Sequence, residues 1–226
     1  MRWILDFYRS SLGKKWVMAL TGIILFGFVL AHMLGNLKVY QGPAAFNHYA
    51  EGLRTVGKPF LGHGQALWIA RLALLGAVLL HIQAAWVTTR KSRAARPRRY
   101  QVRTPVQTTY AERTMRWGGV IILLFVLYHL AHFTWGFDWA HPDFRAGDPY
   151  HNFVVGFRAW PVALFYVVAQ VFLAFHLYHG LWSMFQSMGV TPAGNDWRRP
   201  FATVFALVIL AGNLSFPLAV LAGIVQ

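Results

Sequence analysis

WVMALTGIILFGFVLAHMLGNL, residues 16–37, contains no Asp, Glu, Lys or Arg. A helix needs about 20 residues to cross the hydrocarbon core of a bilayer, which is about 30 Å thick, so this stretch is long enough to span a membrane. Four more windows without these charged residues follow, at 72–89, 117–137, 159–195 and 200–226. The pattern predicts an all-α integral membrane protein with five transmembrane helices.

The composition supports the same class of protein. Of the 226 residues, 57% are hydrophobic and only 12% are charged, so a soluble domain would expose more apolar surface than water tolerates. We predict a single transmembrane domain over residues 1–226. Its helices are expected at about 15–37, 65–90, 114–137, 159–186 and 200–224.

Basic residues are distributed unevenly between the predicted connections. Fifteen of the 21 Lys and Arg precede the first span, lie in or beside the loop 90–116, or stand at 198 and 199. The connections on the other side carry only five. The positive-inside rule therefore places the N-terminus in the cytoplasm and the C-terminus outside. The net charge of +14 marks this orientation and does not indicate nucleic-acid binding.

Histidine is the metal ligand that the predicted spans offer. The chain has no Cys, which excludes disulfides, cysteine-ligated iron–sulfur clusters and Cys-bound zinc. An ionisable side chain in lipid is costly and by default marks a functional site. Five of the ten His are expected inside the spans: His32, His81, His129, His176 and His179. The other five are expected at or beyond the outer interface: His48, His63, His132, His141 and His151.

Four of these imidazoles fall at two depths. At a rise of 1.5 Å per residue, His32 and His129 lie roughly 8–12 Å below the outer surface. His81 and His176 lie roughly 13–15 Å from the inner surface. Two haems stacked across a bilayer require such a pair of imidazoles at each level. A haem with an imidazole on each face has no site for oxygen and is suited to electron transfer.

Spacing alone leaves two of the ligands ambiguous. His129 and His132 stand three residues apart and share a helix face, as do His176 and His179. A weak internal repeat favours His129, but it leaves the choice between His176 and His179 open. The repeat has an offset of 97 residues and places Met18, Gly22 and His32 on Met115, Gly119 and His129.

Flat macrocycles also need slots between helices, which small residues provide. Ordinary close packing of helices in lipid explains such residues equally well. The candidates are Gly22, Gly27, Gly35, Gly76, Gly118 and Gly119. Two other functions are compatible with buried histidines, namely a haem-free transporter or proton channel that uses them as a relay, and a purely structural anchor.

Six stretches of the chain resemble one family. They are SLGKKWVMALTG (11–22), HMLGNL (32–37), FNHYAEGLR (46–54), MRWGG (115–119), FVLYHLAHFTWG (125–136) and FHLYHGLWSMFQSMG (175–189). Their order and spacing resemble the single-polypeptide, five-helix, di-haem cytochrome b anchor of succinate:quinone oxidoreductase. This enzyme is succinate dehydrogenase, complex II of the respiratory chain and the tricarboxylic acid cycle.

The resemblance implies a ligand set. His32 and His129 would hold the iron of a distal haem, and His81 and His176 that of a proximal haem. His132 and His179 would then lie in the haem surroundings. Arg71 stands ten residues, about 15 Å, outward of His81, near the level of the distal haem. It would face haem propionates, with snorkelling to the outer interface as the alternative.

The resemblance also implies the function, partners and location. A flavoprotein and an iron–sulfur subunit on the cytoplasmic side would pass electrons through two haems b to a quinone, with menaquinone the expected one, in a bacterial inner membrane. This chain would be the quinone-reacting subunit, without a succinate site. Ala174 stands where related quinol-oxidising fumarate reductases can carry a glutamate, which favours succinate oxidation over the reverse reaction. The alternatives are a di-haem cytochrome b of hydrogenase or formate dehydrogenase, and a quinol:fumarate reductase.

Quinone pockets are expected at both ends of the bundle. Hydrogen-bond donors at the inner end of the helices would bind a quinone carbonyl, and a carboxylate near the outer haem would relay protons. Interfacial roles are the alternative for each of these residues. The inner candidates are Ser10, Ser11, Lys14, Lys15, Trp182 and Ser183; the outer candidates are His48, Tyr49 and Glu51.

Overall fold

The computed structural model describes residues 2–95, 110–190, 194 and 196–226, with side chains from residue 115 onward in the second of these ranges. Part of the basic inner loop used for the orientation, 96–109, therefore lies outside the described residues. The described chain contains helices and no strand. The helices are α1 (Arg2–Arg9), α2 (Ser11–Asn36), α3 (Pro43–Thr55), α4 (Gln65–Ala94), α5 (Tyr110–Leu130), α6 (Pro149–Arg158), α7 (Trp160–Ser187) and α8 (Arg198–Leu221).

Five of these helices are long and apolar enough to cross a membrane. The spans are Ser11–Gln41, Gln65–Ala94, Met115–Trp135, Trp160–Ser187 and Arg198–Leu221. Many of their large apolar side chains are exposed on the outside of the bundle, as expected of a surface that faces lipid. The predicted all-α membrane fold is confirmed. We keep the predicted orientation and call the end of the bundle that carries the N-terminus the inner end.

Local hydrogen bonds explain where the long helices begin and end. α2 begins at Ser11, four residues before the expected start, because the Ser10 side chain caps it by accepting a bond of 2.9 Å from the Gly13 N–H. At its other end, a 3-10 segment, Leu37–Gln41, prolongs α2. A π-helical segment, Ala131–Trp135, prolongs α5.

Three short helices lie in segments that we expected to be terminal or connecting. α1 precedes the first span, and α3 and α6 lie in the outer connections 42–64 and 138–157. α3 and α6 each begin with a proline, which is preorganised for the first helical turn. Asp148 also caps α6 by accepting a hydrogen bond from the His151 N–H.

The long helices form two packed pairs. α2 packs against α4, and α5 packs against α7, while α8 covers α7 and α2 also touches α7. Within the described residues, α2 and α5 do not pack extensively against each other, and neither do α4 and α7. Two gaps therefore run between helices of different pairs. The histidines lie at these gaps.

Candidate functional site

His81 and His176 meet across the gap between α4 and α7, toward the inner end. Their ring centroids are 6.2 Å apart, at an interplanar angle of 57°. A glycine lies beside each ring, since a Cβ atom at Gly22 would be 3.8 Å from Cε1 of His81 and one at Gly119 would be 3.9 Å from Cε1 of His176. The Thr21 hydroxyl lies 3.0 Å from Nδ1 of His81. The two glycines are those that the offset of 97 residues relates.

His32 and His129 meet across the other gap, between α2 and α5, toward the outer end. Their ring centroids are 5.8 Å apart, at an interplanar angle of 85°. The Phe28 ring stacks on the His32 ring with a centroid distance of 5.3 Å. The Tyr166 hydroxyl on α7 lies 3.3 Å from Nδ1 of His129. The two levels expected from the depths are thus occupied by two pairs of imidazoles.

The two competing histidines have other neighbours. His132 is only 1% exposed, and its ring faces α6, where a Cβ atom at Gly156 would be 2.9 Å from its Nε2. His179 lies beside Trp182, with ring centroids 5.9 Å apart. In the structure, His129 and His176 each face an imidazole of another helix, and which histidines bind haem stays a prediction.

The paired imidazoles fit a haem better than a bare metal ion. Two imidazoles on one iron, with bonds of about 2 Å, have ring centroids about 6 Å apart, close to the observed separations. An ion such as zinc needs three or four protein ligands. The described residues contain no group of three His, Cys, Asp or Glu that could hold one. Haem iron takes four ligands from the porphyrin and needs only two from the protein.

Arg71 lies on the exposed side of α4. Its guanidinium is 5.1 Å from the centroid of the Trp68 ring, a cation–π contact. No ion pair to Arg71 occurs within the described chain. A role toward haem propionates stays a prediction, as does snorkelling.

The inner quinone candidates divide into buried and exposed groups. The indole Nε1 of Trp182 is buried and has no hydrogen-bond partner in the described chain. Arg199 lies over its ring, 4.7 Å from the centroid. Ser183 donates a weak bond of 3.3 Å to the Gly180 carbonyl oxygen, while Ser11 and Lys15 are exposed.

Lys14, not Lys15, is the lysine that enters the protein at the inner end. It is 3% exposed and donates a hydrogen bond of 3.0 Å to Oε1 of Gln83 on α4. Its ammonium also lies 3.3 Å from the centroid of the Tyr8 ring. This cluster fixes α1 and the start of α2 against α4.

Two of the three outer quinone candidates line an open cleft of about 450 Å³ on α3. His48 and Tyr49 line it together with Lys38. Glu51 lies outside the cleft and forms ion pairs with His63 at 2.9 Å and Arg54 at 3.1 Å. The hydrogen bond from His63, followed by the one from Arg54, lowers the pKa of Glu51.

Sequence reasoning missed the two hydroxyl groups beside the imidazoles. Thr21 looks ordinary in a helix because its hydroxyl can bond to the preceding turn. Tyr166 looks like a member of the interfacial aromatic belt, yet it is 5% exposed and lies six residues inside α7. A tyrosine this far from a helix end, on a helix with buried histidines, is the signal that was available.

Comparisons with known proteins give one match. A family model described as succinate dehydrogenase/fumarate reductase transmembrane subunit matches residues 89–214, more than half of the chain. The matched segment includes His129 and His176, one imidazole of each pair. No curated protein and no solved structure matches the chain.

Proposed function

The chain belongs to the family of succinate dehydrogenase/fumarate reductase transmembrane subunits, and from this premise we propose that it conducts electrons through two haems b to a membrane quinone. His32 and His129 would hold the outer haem, and His81 and His176 the inner one. The proposal depends above all on one observation: within the described residues, each imidazole pair bridges two helices that do not pack extensively against each other.

The chain contributes ligands, orientation and an apolar environment. A haem bound between two imidazoles supplies one-electron transfer without a free coordination position. The four imidazoles must be neutral to bind iron, and the hydrocarbon surroundings favour that form. The hydrocarbon of the bilayer around the spans would keep water from the ligands. The two levels divide the distance across the membrane between two steps.

The inner end is proposed to receive electrons and reduce the quinone. In the predicted orientation, an iron–sulfur subunit and a flavoprotein that oxidises succinate would dock there on the cytoplasmic side. Trp182 carries a buried N–H group that no described residue accepts, which suits a quinone carbonyl oxygen. Quinone reduction takes two electrons and two protons. The outer cleft with His48 and Tyr49 is the second candidate pocket.

Succinate oxidation is the proposed direction, with menaquinone as the acceptor. Ala174 lies two residues before His176, at the position where related quinol-oxidising reductases can carry a glutamate. Its methyl group cannot carry a proton. The chain offers no replacement carboxylate there, since Asp and Glu are absent from residues 159–195.

The test is anaerobic reduction of the purified complex by succinate. We expect flavin to co-purify with the chain, two haems b per chain, and reduction of haem by succinate alone. Fumarate should reoxidise the haem slowly in comparison with a quinone analogue. A complex that contains nickel or molybdenum instead of flavin, or a complex without haem bands, would overturn the proposal.

A further inference from the structure

One imidazole of each pair is held at Nδ1 by a hydroxyl from the neighbouring helix of its own packed pair. Thr21 on α2 holds His81 on α4, and Tyr166 on α7 holds His129 on α5. We propose that Thr21 and Tyr166 are positioning residues that each set the redox potential of one haem independently of the other. This inference rests on the proposed function.

The hydrogen bonds of Thr21 determine the tautomer of His81. The hydroxyl has a single hydrogen, and two carbonyl oxygens of the preceding turn can accept it, that of Val17 at 2.7 Å and that of Met18 at 3.2 Å; donated to either, it leaves the Thr21 oxygen as an acceptor for the imidazole. Nδ1 of His81 must then carry the proton and donate it at 3.0 Å. The lone pair of Nε2 is left free for iron. Thr21 is buried, which shields this hydrogen bond from water.

At the outer pair, Tyr166 links two imidazoles in a series of hydrogen bonds, whereas Thr21 contacts one imidazole. Its hydroxyl lies 3.3 Å from Nδ1 of His129 and 2.9 Å from Nδ1 of His132. If His129 binds iron through Nε2, its Nδ1–H donates to the tyrosine oxygen. The tyrosine hydrogen is then free to point at Nδ1 of His132. A tyrosine oxygen whose hydrogen is donated to His132 is a better acceptor for the N–H of His129, because successive hydrogen bonds polarise one another.

Neighbouring side chains hold Tyr166 and His132, the last two members of this series of hydrogen bonds, in place. The Tyr166 ring lies edge-on to Phe157 and Phe125, with centroid distances of 4.9 Å and 5.0 Å. The backbone carbonyl of His132 accepts a bond of 3.2 Å from Nδ1 of His141, which is also buried, with 2% of its surface exposed. His132 therefore ends this series of hydrogen bonds, which explains why it is buried without facing His32.

His176, the other imidazole of the inner pair, has no such hydroxyl at its Nδ1 among the described residues. Nδ1 of His176 is buried and has no hydrogen-bond partner in the described chain. The offset of 97 residues places Gly118 where Thr21 stands, so the repeat supplies no hydroxyl there. Loss of the Thr21 hydroxyl therefore affects one ligand of the inner haem and none of the outer haem.

The direction of the effect follows from ligand basicity. A ligating imidazole that donates its second N–H is more basic, which stabilises the oxidised iron and lowers the potential. Removal of either hydroxyl should therefore raise the potential of its own haem. We expect the reduced-to-oxidised ratio of that haem at a fixed ambient potential to rise about two- to tenfold, about 20–60 mV at 59 mV per tenfold for one electron.

The experiment is a redox titration of both haems in the purified whole complex, followed in the visible spectrum. Thr21→Val should shift the inner haem only, and Tyr166→Phe the outer haem only. Thr21→Ser keeps the hydroxyl and should restore the wild-type potential. The matched controls Thr203→Val and Tyr40→Phe remove hydroxyls that also form hydrogen bonds, but away from any imidazole, and should shift neither haem.

Each outcome has a defined meaning. Unchanged potentials in Thr21→Val and Tyr166→Phe, or equal shifts of both haems in each variant, overturn this inference while leaving the proposed function intact. A wild-type complex without two haems overturns the proposed function itself. If Thr21→Val loses its inner haem, Thr21→Ser decides: a normal inner haem supports the hydroxyl role, and the same loss contradicts it.

Discussion

Gly22 on α2 lies against the imidazole of His81 on α4, so that a Cβ atom there would be 3.8 Å from Cε1 of the ring. The same relationship recurs between Gly119 and His176, at 3.9 Å. Two glycines on different helices thus border one pair of rings. A single methyl group would make ordinary contact at either position, but a longer side chain would enter the space around the imidazoles.

Leucine at either glycine should therefore remove the inner haem. We expect Gly22→Leu and Gly119→Leu to lower the haem content of the purified complex from two per chain to one, as measured by the pyridine haemochrome assay. The reason is steric displacement of His81 or His176. Ala73→Leu adds a similar side chain on the exposed face of α4 and should keep both haems. An equal loss in that control would assign the effect to folding.

Trp182 provides a test of the inner quinone pocket. Trp182→Phe removes the buried N–H, which has no acceptor among the described residues, while keeping an aromatic ring. We expect the KM for a menaquinone analogue to rise about fivefold, roughly the value of one hydrogen bond of 1 kcal/mol. Succinate oxidation with an artificial acceptor that reacts at the flavin should be unchanged. Trp86→Phe, at an exposed position, is the control, and an unchanged KM in Trp182→Phe would exclude the N–H as a ligand.

A polar contact within the span fixes α8 on α7. Asn213 donates a hydrogen bond of 2.9 Å to Oε1 of Gln170, which is 8% exposed. Replacing one partner leaves the other without a bond in an apolar setting, so Asn213→Leu should destabilise the complex by about 1 kcal/mol. The double variant Gln170→Leu/Asn213→Leu should recover most of the loss. Loss of the haem absorption bands on heating measures the stability of the single and the double variants. If the stability losses of the two single variants add up in the double variant, the contact is unimportant.

The outer cap at Asp148 should make stability depend on pH. The backbone N–H of His151, and then the side chain of Asn47, donate to this carboxylate and lower its pKa below the ordinary value of 3.8. Its stabilising contribution is therefore present above 3.8 and is lost as the pH falls through the lowered pKa.

Asp148→Ala should cost about 1 kcal/mol at neutral pH, the typical value of a helix cap. The difference in stability between the wild type and this variant should narrow as the pH falls below 3.8 and through the lowered pKa, where the folded wild-type carboxylate becomes protonated. Thermal unfolding of the complex at pH 7 and in a series of buffers below pH 3.8 measures the difference. A gap that widens on acidification would contradict the assignment.

The long spans were predictable from the sequence because lipid imposes a simple rule on them. Each span contains a charge-free window of at least 18 residues, and the expected bounds fall within a few residues of those in the structure. α1, α3 and α6 were not predicted, since short polar helices carry no such signature. Their starts depend on local capping, as at Asp148, that resembles ordinary turn chemistry.

The choice of histidines needed the tertiary structure. His129 and His132 share a helix face, and no property of α5 alone distinguishes them. The distinction comes from α6 and α7, where Gly156 gives room for the His132 ring and Tyr166 holds both imidazoles. Depth predicted two levels because the rise of a helix is constant, whereas the rotation of each ring is decided by neighbours far away in sequence.

The number of haems b per chain in single-histidine variants of the purified complex tests the central claim most directly. The wild type should contain two. His32→Ala and His129→Ala should each lose the same haem, recognised by its potential, while His81→Ala and His176→Ala should lose the other and His132→Ala and His179→Ala should keep both. A colourless wild type, or loss of a haem in His179→Ala but not in His176→Ala, would contradict the account.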